Sequence, residues 1–280
     1  MKKMLRRLIG AALACGMTMS LLAGSAAMVS ADSTKVVSLG ADLSDSQKNS
    51  ILKYFGVKSS QVQIIEVTNQ DERNHLSSYV PLEQIGNRTI SCAYVQPTTS
   101  GGIQVKTANL TYVTSNMIAA ALSTSGVKNC NVIAAAPFAV SGTGALTGCI
   151  MAYEAATGQQ LSVEKKDTAA KEMVTTSEVA QTLGQNQATE IVNKIKVDVV
   201  QQQVDSFDVE AIDRIVAEAV DKALSERREV GLSSENVTIE DLESLRDLAT
   251  TFAELDYDYA DMAETLERVE ENVIGADIGS

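Results

Sequence analysis

Val132-Ile133-Ala134-Ala135-Ala136-Pro137-Phe138-Ala139-Val140-Ser141-Gly142-Thr143-Gly144-Ala145-Leu146-Thr147-Gly148 is the stretch whose reading decides the fold. An apolar run from Val132 to Ala136 reads as a strand, and the glycine-rich turn after it opens a helix. Free backbone N–H groups, small residues and hydroxyls meet where a helix dipole favours an anion. Ser141, Gly142, Thr143, Gly144 and Thr147 are therefore a candidate site for a phosphate, a carboxylate or a polymer anion. In the competing reading, the glycines serve close helix-to-sheet packing while Ser141 or Thr143 caps the helix.

Upstream, the same grammar repeats. Residues 35–39 make a short strand, and Ser44 opens a helix with Gln47 at capping-box spacing. Ile51, Leu52 and Phe55 give that helix an apolar face, and Gly56 ends it. Val62, Ile64, Ile65 and Val67 form a second strand, followed by a helix through about Tyr79. At a constant offset of 70, Ser44 meets Thr114 and Gly56-Val57-Lys58 meets Gly126-Val127-Lys128; Leu52, Val62 and Leu76 meet Leu122, Val132 and Leu146. The matches fall on a helix face, a C-cap and the following strand, which is where two copies of one β-α-β-α unit must agree. Between the copies, residues 88–96 and 102–113 alternate as strands, joined by Pro97-Thr98-Thr99-Ser100-Gly101 as in a hairpin. The apolar phase changes near Thr107 and Ala108, so a bulge is expected there. The fold class read from this pattern is α/β, with α+β as the alternative, built on a pseudo-duplicated N-terminal domain.

Strand signals stop at about Ser162. Thr175-Thr176-Ser177-Glu178 has capping-box spacing, with Val174 and Val179 placed as a hydrophobic staple. Ile191, Ile195 and Val199 mark a helix, Ile212 to Leu224 a strongly amphipathic one, and Leu242 to Leu255 and Met262 to Val273 two more. The expected organisation is 1–31 signal peptide, 32–160 α/β domain, 161–204 helical extension and 205–280 acidic all-helical region.

The N-terminus supplies the expected location. Lys2, Lys3, Arg6 and Arg7 precede an apolar run from Leu8 to about Val29, and Val29-Ser30-Ala31 offers small residues to a signal peptidase. Cleavage leaves 249 residues, secreted or wall-associated and not membrane-spanning; the alternative is an uncleaved anchor of roughly 20 apolar residues. The Leu22-Ala23-Gly24 stretch that resembles a lipobox is followed by Ser25, which has no thiol to acylate.

Composition narrows the function. Hydrophobic residues make up 45% of the chain and prolines number three, so the mature part folds; aromatics at 4% with no Trp leave little for a sugar-stacking platform. Residues 205–280 hold 22 acidic and 6 basic residues, against 14 and 13 in residues 32–204. Nucleic acid is excluded as a partner, because no cluster of Lys and Arg exists to displace counterions from phosphates. The remaining partners are a cell-envelope polymer, a protein or a divalent cation.

Few residues offer chemistry. His75 is the sole histidine, which rules out a multi-imidazole metal site, and no Gly-x-Ser-x-Gly elbow, Walker loop or Cys-x-x-Cys occurs. Asp256, Asp258 and Asp261 are weak metal candidates, since Ala260 takes a ligand position and the turn glycine of a calcium loop is missing. Nothing calls for a cofactor and no catalytic residue is assigned. Cys92, Cys130 and Cys149 survive processing, an odd count that permits one disulfide or three buried thiols. Asn87, Asn109 and Asn236 stand in glycosylation triplets.

The stretches Leu39-Gly40-Ala41-Asp42-Leu43-Ser44, Gln84-Ile85-Gly86, Ala136 to Gly148 and Val174-Thr175-Thr176-Ser177-Glu178 together resemble the YpuA-like family of exported Gram-positive proteins, a domain of unknown function. The resemblance spans about residues 34–200 and implies export and a shared fold; it transfers no catalytic residue. The expected function is a non-enzymatic extracellular or cell-envelope protein that binds or scaffolds. The alternative is a hydrolase or transferase on an envelope polymer, setting the Ser141–Thr147 loop against Glu72, Glu83 or Glu154.

Overall fold

The computed structural model describes residues 34–229, 231 and 237–277, with side chains through residue 269. The N-terminal stretch read as a signal peptide, Asn236 and the side chain of Val273 lie outside the described residues. The N-terminal part runs β1 (Val36–Gly40), α1 (Asp45–Tyr54), β2 (Gln63–Val67), α2 (Asn69–Leu76), α3 (Leu82–Ile85), β3 (Cys92–Pro97), β4 (Ile103–Leu110), α4 (Ser115–Thr124), β5 (Cys130–Val140) and α5 (Thr143–Thr157). Five helices follow: α6 (Val163–Leu183), α7 (Gln185–Gln201), α8 (Val209–Glu229), α9 (Ile239–Ala253) and α10 (Tyr259–Asp277).

The strands form one mixed sheet in the order β2-β1-β3-β5-β4. β1 and β2 run parallel, as do β4 and β5, while the central β3 is antiparallel to β1 and β5. This overturns the hairpin expected across Pro97–Gly101, because β5 inserts between β3 and β4. The reason is burial. β5 carries a continuous run of small apolar residues, with Ala134 and Ala135 buried on opposite faces, and such a strand belongs inside a sheet. β4 is buried only at Ile103 and is half-buried or exposed along the rest of its length, which suits the edge. The expected bulge is there: the register shifts between Ala108 and Leu110, with Asn109 at φ 61° and its amide donating to the Ala136 carbonyl at 2.8 Å.

The repeated unit holds at the level of caps. Ser44 and Thr114 each accept a first-turn N–H, Gly56 and Gly126 sit at φ 70° and 93°, and the Val57 and Val127 N–H groups close back on Leu52 and Leu122 at 3.1 and 3.0 Å. Placement differs between the copies. α1 packs with Val37, Leu39, Cys92 and Tyr94 on one face of the sheet, whereas α4 joins Val36, Ala93, Val95 and Val132 in the core of the other. α4 is consequently buried at eight of its ten positions and α1 at two.

α6 begins at Ser162, whose hydroxyl accepts the Lys165 N–H, and runs unbroken through Thr175-Thr176-Ser177. The capping box expected there does not form. The Thr176 and Ser177 hydroxyls donate instead to the carbonyls of Glu172 and Met173, at 2.7 and 2.9 Å, and stay buried. Ala169, Ala170 and Met173 pack into the core beside α4, so tertiary contact carries the helix past its local stop signal. A second core gathers α7, α8, α9 and the first half of α10, and Val269 of α10 reaches back into the sheet core.

Candidate functional site

The glycine-rich loop leaves β5 at the end where the parallel strands β1 and β2 also terminate. Gly142 turns the chain at φ 98° as the N-cap of α5, with no side-chain cap. Neither Ser141 nor Thr143 caps the helix. The Thr143 hydroxyl donates to Glu72 Oε2 at 2.7 Å, the Thr89 hydroxyl donates to Glu72 Oε1, and Ser141 Oγ lies 3.3 Å from Thr143 Oγ1. A Cβ at Gly144 would stand 3.0 Å from Glu72 Oε1 and 2.8 Å from Thr89 Cγ2, so the missing side chain is what admits the carboxylate. Thr147 Oγ1, one turn further, is buried without a hydrogen-bond partner among the described residues.

The group that occupies this helix start is the chain's own Glu72 side chain, delivered by α2 and 1% exposed. Burial pushes its pKa up; the Thr89 and Thr143 hydroxyls oppose that, Asp42 adds to it, and Arg73 opposes it. Folding therefore tightens the Glu72 proton. The stabilisation is fully present below the ordinary carboxylate value and is lost as pH rises through the elevated one. Glu72→Gln should gain stability relative to the parent as pH rises above the ordinary carboxylate value, read from urea midpoints. A pH-independent difference would sink this account of Glu72.

The other candidates separate. Glu154 sits near the far end of α5 and binds the Leu161 N–H at 2.9 Å and Lys166 Nζ at 3.0 Å; Glu83 is exposed on α3. His75 Nδ1 lies 2.8 Å from its own helix's Asp71 carbonyl. Asp258 accepts the Asp261 N–H at 3.0 Å, Asp261 pairs with Lys128, and no three His, Cys, Asp or Glu side chains converge on a metal position among the described residues. Cys92, Cys130 and Cys149 are buried thiols, Cys92 in one sheet core and the other two in the opposite one. Burial pushes Cys92 up to about 11 and Cys130 to about 12, so both are protonated at neutral pH. Asn109 is engaged by the bulge and Asn87 accepts from Arg73 at 3.3 Å.

Sequence reading missed a second polar centre between α4, α6 and α7. Lys196 Nζ, 1% exposed, donates to Glu172 Oε1 at 2.7 Å, Thr124 Oγ1 at 3.0 Å, the Ala120 carbonyl at 3.2 Å and Ser123 Oγ at 3.3 Å. Glu172 also accepts the Thr124 hydroxyl. The Tyr257 O–H donates to the Thr124 carbonyl at 2.5 Å, and Lys165 Nζ sits 4.2 Å above the Tyr257 ring. A cleft of about 180 Å³ opens there, lined by Gly126, Lys128, Lys165, Tyr257, Asp258 and Asp261 among others. A signal existed on α7: Lys196 shares its helix face with Val192 and Val199, a charge set inside an apolar stripe, whereas Glu172 stands among Thr168, Thr175 and Thr176.

A mixed five-stranded sheet carrying a helical C-terminal half, with one buried carboxylate plugging the α5 start, describes the class of protein. The chain belongs to the family described as "Protein of unknown function (DUF1002)", whose profile matches residues 39–269 and so extends across the acidic helices. It is 41% identical over 162 residues to the uncharacterized protein YpuA of Bacillus subtilis (strain 168), covering 58% of this chain and 56% of that one. The chain thus spans little more than half the length of that relative. No solved structure matches. No helix among the described residues is long and apolar enough to cross a membrane.

Proposed function

We propose that the chain is exported and acts at the cell envelope or outside it by binding or scaffolding, not by turnover. The cationic and apolar pattern of residues 2–31 supports export. The observation that carries the non-enzymatic reading is the plugged loop: the hydroxyls of Thr143 and Thr89 are committed to a carboxylate of the same chain, in a cluster closed to solvent. In the hydrolase or transferase reading, the same elevated Glu72 acts as a proton donor beside Ser141 once the cluster opens. Expression of the full chain in a Gram-positive host, followed by fractionation and N-terminal sequencing, tests export. A new N-terminus at Asp32 in the medium or wall fraction is expected; an intact N-terminus in the cytoplasm or membrane overturns it. Turnover of any envelope polymer by that purified chain, lost in Glu72→Gln, would replace the binding reading with the enzymatic one.

A further inference from the structure

Where the α4–β5 turn, the first turn of α6 and the start of α10 meet, charges of both signs face one small cleft. We propose that this cleft is a binding site for a small zwitterion of amino-acid size, its carboxylate on Lys165 and its ammonium on Asp258 and Asp261. The inference goes beyond the reading above and does not depend on export.

Size sets the first limit. The cleft measures about 180 Å³, below the roughly 300–1,000 Å³ of pockets for drug-sized ligands. Charge sets the second. Lys165 is held on the Tyr257 ring and forms no hydrogen bond or ion pair to a carboxylate among the described residues, although Asp256 lies close enough to favour its charge. Its ammonium is thus oriented and half-buried, with Asp256 nearby but no carboxylate bonded to it among the described residues. Asp258 and Asp261 line the cleft as well, Asp258 accepting the Asp261 N–H at 3.0 Å through one oxygen and Asp261 already bridged to Lys128. The acidic side repels simple anions and polyanions, and Lys165 repels simple cations, so a molecule carrying both charges is the one that gains from both.

The cleft is also held rigid from beneath. Tyr257 is tied to the Thr124 carbonyl, and Thr124 to the buried Glu172–Lys196 pair, so the floor is anchored to three helices before any ligand arrives. Such a site loses little entropy on binding.

Alanine, alaninamide and N-acetylalanine carry both charges, the positive one and the negative one respectively. Titrated into the full chain and followed by backbone-amide NMR, alanine should give shifts at Gly126, Lys128 and Asp258 that saturate in the millimolar range. Each singly charged analogue should bind at least about tenfold more weakly. Lys165→Met should abolish the shifts with an unchanged melting temperature, and Lys165→Arg should retain them. Equal responses to the three probes, no saturation by alanine at about 10 mM, or undiminished binding by a folded Lys165→Met overturns the proposal. Should Lys165→Met lower the melting temperature, the three-probe comparison on the parent chain decides alone.

Discussion

Replacing Lys196 by Met lowers the unfolding free energy by about 3–5 kcal/mol, because it strands the Glu172 carboxylate in the interior. Glu172 is 1% exposed, and what remains to it is the Thr124 hydroxyl. The Ala120 carbonyl and Ser123 hydroxyl lose a donor at the same time. The pair's net worth is a separate quantity from the cost of halving it. Desolvating two ions offsets much of their attraction, so the double variant Lys196→Met, Glu172→Leu is expected to recover most of the loss. Urea denaturation of the two single variants and the double variant checks this. A Lys196→Met protein within about 1 kcal/mol of the parent would show that the bundle opens to hydrate Glu172, and the account of a sealed centre would fail.

Gly40→Ala is the second large effect. Gly40 ends β1 with an ordinary backbone conformation, so strain in φ is not the issue. The Cβ would stand 2.3 Å from the Thr89 carbonyl oxygen and 2.7 Å from its carbon, both of them main-chain atoms that no rotamer change can move. That segment is clamped: the Asp42 N–H donates to the Thr89 carbonyl at 3.1 Å, and the Thr89 N–H donates to Asp42 Oδ2 at 2.7 Å. Relief requires moving Thr89 away from β1, which drags its hydroxyl from Glu72. The expected cost is about 3 kcal/mol, the upper part of the overpacking range. Gly56→Ala is the control, since Gly56 has φ 70° but nothing within 4 Å of its Cβ position, and about 1 kcal/mol of backbone strain is expected. Equal melting temperatures for the two variants would sink the steric argument.

Several elements were readable one residue at a time. The caps at Ser44, Thr114, Gly56 and Gly126 are satisfied within their own turns, so neighbouring residue types suffice to place them. The bulge near Ala108 shows as a slip in alternation because a strand's two faces bury differently. Thr175-Thr176-Ser177-Glu178 misled for the complementary reason: its hydroxyls suit an N-cap or an i−4 bond equally, and the packing of Ala169 and Met173 selects the second. The contact of the glycine loop with Glu72 was likewise out of reach, since Glu72 comes from 71 residues away along the chain.

The chain's own alternation of residue types determined its strands, its bulge and the caps at Ser44, Thr114, Gly56 and Gly126, together with the charge division between its halves, because these depend on a few neighbours within a turn or a pleat. Strand order, the opposite faces taken by the two repeated helices, the plugging of α5 by Glu72 and the union of Lys196 with Glu172 came only from tertiary structure. Each is a competition among distant partners for limited buried volume, and no local window contains all the competitors.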